Sequence, residues 1–190
     1  ADFVYFGMEL RGGDGAIESQ LIEYAAKVVA AVGIVQGPSH MEVIFTPSGP
    51  CLVEVGSRCH GGEGSWLPIV RECIGYTQLE VTLMCYLRPD SFENIPPYPT
   101  LKKFGVEAFL VTLDSVVHSG GRTLKDIPGL AEITSMDSFR RVEMLTQPGN
   151  VLVPTIDCFT RPGSVQMVNE KKGSLTRDYE MIRQLENGGM

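Results

Sequence analysis

The sequence predicts an α+β fold, with an antiparallel sheet and packed helices followed by a small β-rich C-terminal subdomain that closes with a terminal helix. Three observations predict it. Residues 17–32 place Leu21, Ile22, Ala25, Val28, Val29 and Val32 at helical spacing. Residues 40–45 and 51–55 are β-branched and apolar on either side of Thr46-Pro47-Ser48-Gly49-Pro50, which is turn chemistry and implies a hairpin. Beyond residue 103, short alternating runs with Gly and Pro between them read as antiparallel strands.

Taken in order, residues 1–8 read as a strand, and Arg11-Gly12-Gly13-Asp14-Gly15 as a loop without the spacing of a P-loop or dinucleotide fingerprint. The helix over 17–32 has Asp14 or Ser19 available as a cap, and Gly33 stops it. Its apolar face is expected to pack on the hairpin. A second helix begins near Trp66 or Leu67, with Ser65 as the N-cap candidate and Pro68 tolerated in the first turn. Gly75 separates it from a third over residues 77–86. Residues 88–100 hold four prolines and read as a linker or surface loop. Organisation is therefore expected as residues 1–88, a linker over 89–103, and a C-terminal subdomain over 104–190. In that subdomain strands are expected over 104–113, 131–134, 139–144, 151–159 and 163–168, with a turn over 116–121 and a short turn or helix over 124–129. Leu175, Tyr179, Ile182 and Leu185 share one face of the closing helix, behind Ser174.

The hairpin carries the chemistry. With its turn centred on Ser48, Glu42 faces Glu54, and their face also carries His40, Ile44, Leu52, Gly56 and, if the strand continues, Arg58. Like charges directly opposite one another destabilise a sheet unless water, a proton or a cation relieves them. Magnesium suits two carboxylates, because it completes its octahedron with waters and phosphate oxygens. Arg58 beside it suits a phosphate oxygen. The plainer reading is a solvated face whose acids pair with Lys or Arg elsewhere. Next, Gly61-Gly62 lets the backbone approach a ligand closely and turn amides toward an anion, or is a simple connection.

Composition limits the classes of function. With 16 basic against 23 acidic residues the formal charge is -7, and no stretch concentrates Lys or Arg among aromatics, so nucleic acid is not an expected partner. No apolar run is long enough to span a bilayer and no cleavage-like signal appears, so a soluble cytoplasmic protein is expected, with no membrane partner. Five scattered cysteines do not make a disulfide framework and read mostly as small buried hydrophobes. Cys59-His60 lacks further ligands at zinc spacing, and His60 points away from Cys59 in an extended backbone, so zinc and thiol nucleophile are set aside. His118, Arg161 and Asn169 read as surface or turn residues and are left out of the site.

Gly33-Ile34-Val35-Gln36-Gly37-Pro38-Ser39-His40-Met41-Glu42-Val43, behind its helix, resembles the "G, then H-x-E" strand of the ATP-grasp superfamily. Val53-Glu54-Val55-Gly56-Ser57-Arg58, followed by Gly61-Gly62, resembles that superfamily's "E-x-N-x-R" strand. The likeness is to carboxylate-amine ligases of the amino-acid or dipeptide kind, in their C-terminal portion. It implies an ATP-grasp-like sheet, and ATP with magnesium (or manganese) as cofactors. It further implies that Glu42 and Glu54 hold the metal on the phosphates, that Arg58 contacts the transferred phosphoryl group, and that Gly61 and Gly62 wall the site. Gly56 stands where the family commonly has an Asn ligand.

The chemistry so implied is phosphoryl transfer to a carboxylate, followed by attack of an amine on the acyl phosphate. Its partners are ATP and small-molecule carboxylate and amine substrates; assembly with copies of itself is left open. The family's phosphate-covering loop and ATP-binding lysines are not recognisable in this chain, and Ala1 falls inside an expected strand. A fragment of a larger ligase, inactive alone, is therefore expected. The competing expectation is a non-catalytic binding or protein-interaction module.

Overall fold

The computed structural model describes residues 3–115, 117, 122–123 and 127–188. The chain divides into two compact units, one formed by residues 11–102 and the other by residues 1–10 together with 103–190. The opening strand, β1 (Gly7–Glu9), belongs to the second of these because it pairs with a strand far along the chain, Met8 opposite Glu107. The Pro-rich stretch lies in the first unit, and its start folds into a single helical turn. His118 and most of the turns expected over 116–121 and 124–129 lie outside the described residues.

In the first unit, α1 (Ala16–Ala31) packs on the hairpin of β2 (His40–Thr46) and β3 (Gly49–Gly56), as its apolar spacing requires. Tyr24 of α1 contributes its hydroxyl, which accepts the Leu52 N–H at 3.1 Å. Neither Asp14 nor Ser19 caps α1; Gly15 holds that position without a side-chain bond. At the other end Gly33 takes φ 75°, its N–H bonds Ala30 O, and the Ile34 N–H bonds Val29 O. Those paired bonds close the helix, and a residue without Cβ meets the positive φ at no steric cost.

Next come α2 (Leu67–Ile74), α3 (Gln78–Leu87) and the single turn α4 (Pro89–Phe92). Trp66, not Ser65, stands at the head of α2; the Ser65 hydroxyl instead donates to Gly62 O at 3.1 Å. Thr77 caps α3 in a full capping box with Glu80, satisfying donors that a helix start leaves open. Arg71 of α2 pairs with the same Glu80, so the start of α3 is fixed from two sides.

In the second unit β1, β4 (Phe104–Phe109), β8 (Gly163–Asn169) and β6 (Phe139–Met144) form an antiparallel sheet in the order β1-β4-β8-β6. A two-stranded ribbon joins β5 (Arg122–Thr123) and β7 (Val151–Leu152). The closing helix α6 (Lys172–Asn187) packs on β4 and β8. Alternate residues of the strands, Val106, Ala108, Val165 and Met167, meet Leu175 and Ile182 of α6 in the core. Lys171, not Ser174, precedes the first turn of α6.

Of the strands expected in this unit, that over 104–113 ends at Phe109, and two others differ further. Residues 131–134 lie in a helix, α5 (Leu130–Thr134), because Gly129 at φ 76° starts a turn whose carbonyl takes the Ile133 N–H. Helical spacing then lets Ile133 enter the core at 1% exposure. The strand expected over 151–159 stops at Leu152; Pro154 follows, and Asp157 closes a turn by accepting the N–H groups of Phe159 and Thr160. Of the cysteines only Cys73 is buried; all five are free, with Cys51 and Cys85 exposed. Among the described residues no helix is long and apolar enough to cross a membrane.

Candidate functional site

The hairpin turn is tighter than the sequence implies. Thr46 pairs with Gly49, so only Pro47 and Ser48 lie outside the ladder, and Gly49 takes φ 105°. A regular ladder from that turn would set Glu42 opposite Val53. A bulge between Glu42 and Val43 absorbs one residue of β3, so Val43 faces Leu52 while Glu42 faces Glu54. The carboxylates are thus directly opposed, with Cβ atoms about 5 Å apart as in any such pair. Leu52, expected beside them, is turned to the other face, where it and Val43 are half-buried; the exposed pair Ile44 and Cys51 takes its place.

Glu42 and Glu54 are both exposed, and the Arg58 guanidinium sits 3.4 Å from Glu54 Oε1 while also donating to Cys59 O at 3.2 Å. So exposed an ion pair contributes little to stability, and its value is as placement of charge. The Glu42 carboxylate has no hydrogen bond or ion pair among the described residues. No cluster of three or more His, Cys, Asp or Glu side chains that could hold a metal occurs among those residues. Two hard oxygen donors and open solvent fit a magnesium ion that draws its other ligands from water and phosphate, and fit poorly with zinc.

Gly56 lies opposite His40. A Cβ built there would meet the Arg58 side chain at 3.5 Å, an ordinary contact, so space for a side chain exists. What the site lacks at this position is an oxygen donor.

Gly61 and Gly62 follow Arg58 into a short 3-10 turn, Gly62–Gly64, with Gly62 at φ 70°. The indole N–H of Trp66 donates to Gly61 O at 2.8 Å. The His60 ring packs between His40 and Trp66, with centroids 4.6 Å and 4.9 Å away. Burial, then the nearby His40 and Arg58 charges, hold the His60 pKa below its ordinary value, with Glu42 pulling the other way. The Nδ1 atom of His40 is buried without a hydrogen-bond partner among the described residues. Cys59 rests its thiol 3.6 Å from the Thr82 hydroxyl, while His60 packs on rings, so no thiol and base pair forms. Sequence reasoning singled out neither Trp66 nor Gln78, whose carboxamide bonds both His60 N–H and Ser39 O.

Residues left out of the site have structural tasks in the other unit. Arg161 lies over the Phe109 ring at 4.3 Å, and Asn169 donates to the Ser138 hydroxyl at 3.0 Å.

Comparison with known proteins concerns the chain as a whole. No family model matches the chain. Dapdiamide A synthase of Enterobacter agglomerans is 25% identical over 166 residues, which are 87% of this chain and 38% of that protein. The L-amino acid ligase of Bacillus licheniformis superposes with a TM-score of 0.75 at 22% identity, over 96% of this chain and 45% of that one. Phosphoribosylglycinamide synthetase from Anaerococcus prevotii superposes with a TM-score of 0.69 at 11% identity, over 97% and 46%. The chain spans less than half the length of each of these proteins. The chain has an ATP-grasp-like fold, similar to that of these proteins.

Proposed function

We propose that this chain supplies the magnesium and phosphate side of an ATP-dependent carboxylate-amine ligase, acting in the cytoplasm where ATP is at hand. The observation that carries the reading is the directly opposed pair of Glu42 and Glu54, with Arg58 on Glu54. In this reading Glu42 and Glu54 hold magnesium or manganese on the ATP phosphates. The ion, when bound, neutralises charge on the phosphate oxygens. Arg58 aligns the γ-phosphoryl group as it passes to the substrate carboxylate, forming an acyl phosphate and ADP. An amine then displaces inorganic phosphate and forms the amide bond. Gly61 and Gly62 wall the phosphates on the side of β3. Phosphoryl transfer asks the protein mainly for positioning and charge, which these residue types supply.

The carboxylate is taken to be an amino acid, in keeping with the relative that ligates L-amino acids. The remainder of the site, including the lysines and covering loop on ATP, would come from sequence that the relatives have and this chain does not span. Gly56 favours a second reading, a non-catalytic nucleotide-binding module, because one position next to the carboxylates offers no oxygen. Phosphate release by the full-length protein, measured with ATP, magnesium and panels of amino acids and amines, separates them. Release that requires both a carboxylate and an amine is expected. Nucleotide binding without release from any pair would favour the module.

A further inference from the structure

We propose that Gln78 is a positioning residue that sets the loop of residues 58–62 against the two carboxylates. The inference rests on reading Glu42, Glu54 and Arg58 as a magnesium and phosphate site. Gln78 is the first residue of α3, and its side chain reaches two segments that are remote in sequence. Its Oε1 accepts the His60 N–H at 2.8 Å, and its Nε2 donates to Ser39 O at 2.9 Å. Ser39 immediately precedes β2, whose first residue His40 already opposes Gly56, and lies three residues before Glu42; His60 follows Arg58 by two. A single carboxamide therefore ties the segment leading into one carboxylate to the loop that carries the arginine.

The tie is preorganised rather than opportunistic. Thr77 and Glu80 close the capping box around the start of α3, and Arg71 of α2 holds Glu80. Gln78 consequently starts from a fixed backbone. On the far side of the loop the Trp66 indole holds Gly61 O, and the His60 ring is packed between Trp66 and His40. A loop that must meet phosphate gains from being held before the ligand arrives, since ordering it on binding would subtract from affinity. The Gln78 side chain hydrogen-bonds to His60 and Ser39 and to neither carboxylate nor the arginine, so it acts through the loop.

Two measurements on the full-length protein test this. In the first, amide hydrogen exchange compares wild type with Gln78→Leu, which preserves bulk and removes both hydrogen bonds. The His60 amide is expected to exchange about 10-fold faster or more, with α3 amides unchanged, because the loop opens locally. In the second, isothermal titration calorimetry follows binding of magnesium and ATP. Gln78→Leu is expected to raise Kd about 10-fold, the scale of lost support around a metal site. In an Arg58→Ala background the same change is expected to cost no more than about two-fold, because the two act through one loop.

Unchanged loop exchange overturns the tie itself. Faster exchange with additive effects of Gln78→Leu and Arg58→Ala overturns the positioning role. Wild-type protein that binds no magnesium nucleotide overturns the underlying site reading, and the positioning role with it, whatever the exchange shows. Gln78→Glu keeps an oxygen for the His60 N–H and loses only the donor to Ser39. If Gln78→Leu does not fold, Gln78→Glu carries the binding measurement, with non-additivity against Arg58→Ala expected and additivity contradicting the proposal.

Discussion

Glu54→Gln in the full-length protein is expected to abolish ATP-dependent ligation while leaving the fold intact. Glutamine keeps the size and one oxygen of glutamate but removes the charge that binds a divalent cation. Losing several kcal/mol of charge stabilisation corresponds to a rate loss on the order of 10³-fold. The effect on stability has the opposite sign. Glu54 stands directly across from Glu42 in an exposed pair. Removing one of two like charges relieves their repulsion, so thermal stability should stay level or rise slightly. Phosphate release and a melting curve on the same sample check both halves. Activity at the wild-type level would remove Glu54 from the metal site.

The second large effect concerns pH and lies in the other unit. Glu186 near the end of α6 is 4% exposed, accepts the Val111 N–H at 2.8 Å and sits 3.2 Å from Arg183. Burial pushes its carboxyl up to about 7, with Arg183 and the amide pulling it down. The folded value lies above the unfolded one of about 4.3, so the protonated acid is favoured by folding. Its contribution is fully present below the unfolded value and is lost as the pH rises through about 7. Glutamine at this position stays neutral throughout. The stability of Glu186→Gln relative to wild type is therefore expected to rise by up to about 3 kcal/mol between pH 4 and about 8. Urea unfolding at the two pH values measures it, and a pH-independent difference would contradict it.

Much of the geometry of the candidate site was legible in the sequence because a hairpin is a local object. Turn chemistry and the alternation on either side are enough to set Glu42 against Glu54. The pairing arises differently from the simplest register, however. A turn one residue tighter and a bulge of one residue offset each other, so the acids meet as expected while Leu52 crosses to the opposite face. Composition does not announce a bulge of this kind, because Val53 is as good a strand residue as its neighbours.

What escaped the sequence depends on contacts between remote residues. Gln78 lies 18 positions from His60 and 39 from Ser39, and nothing at its own position marks it. Similarly, β1 joins the C-terminal unit through its pairing with β4, far along the chain. The segment 131–134 was misread as a strand because a short apolar run fits either period, and Gly129 decided for the helix. Cysteine burial is less than the sequence suggests for a simpler reason, in that Cys51 and Cys85 occupy exposed positions of the two-stranded hairpin and of α3.

The central claim is that a divalent cation and ATP phosphates meet at the hairpin. Manganese in place of magnesium makes that directly visible, because a paramagnetic ion broadens the amide resonances nearest to it. With ATP and manganese added to isotope-labelled full-length protein, broadening is expected to centre on residues 42, 54 and 58 and to vanish in Glu42→Gln/Glu54→Gln. Broadening centred elsewhere, or unchanged in the double variant, would contradict it.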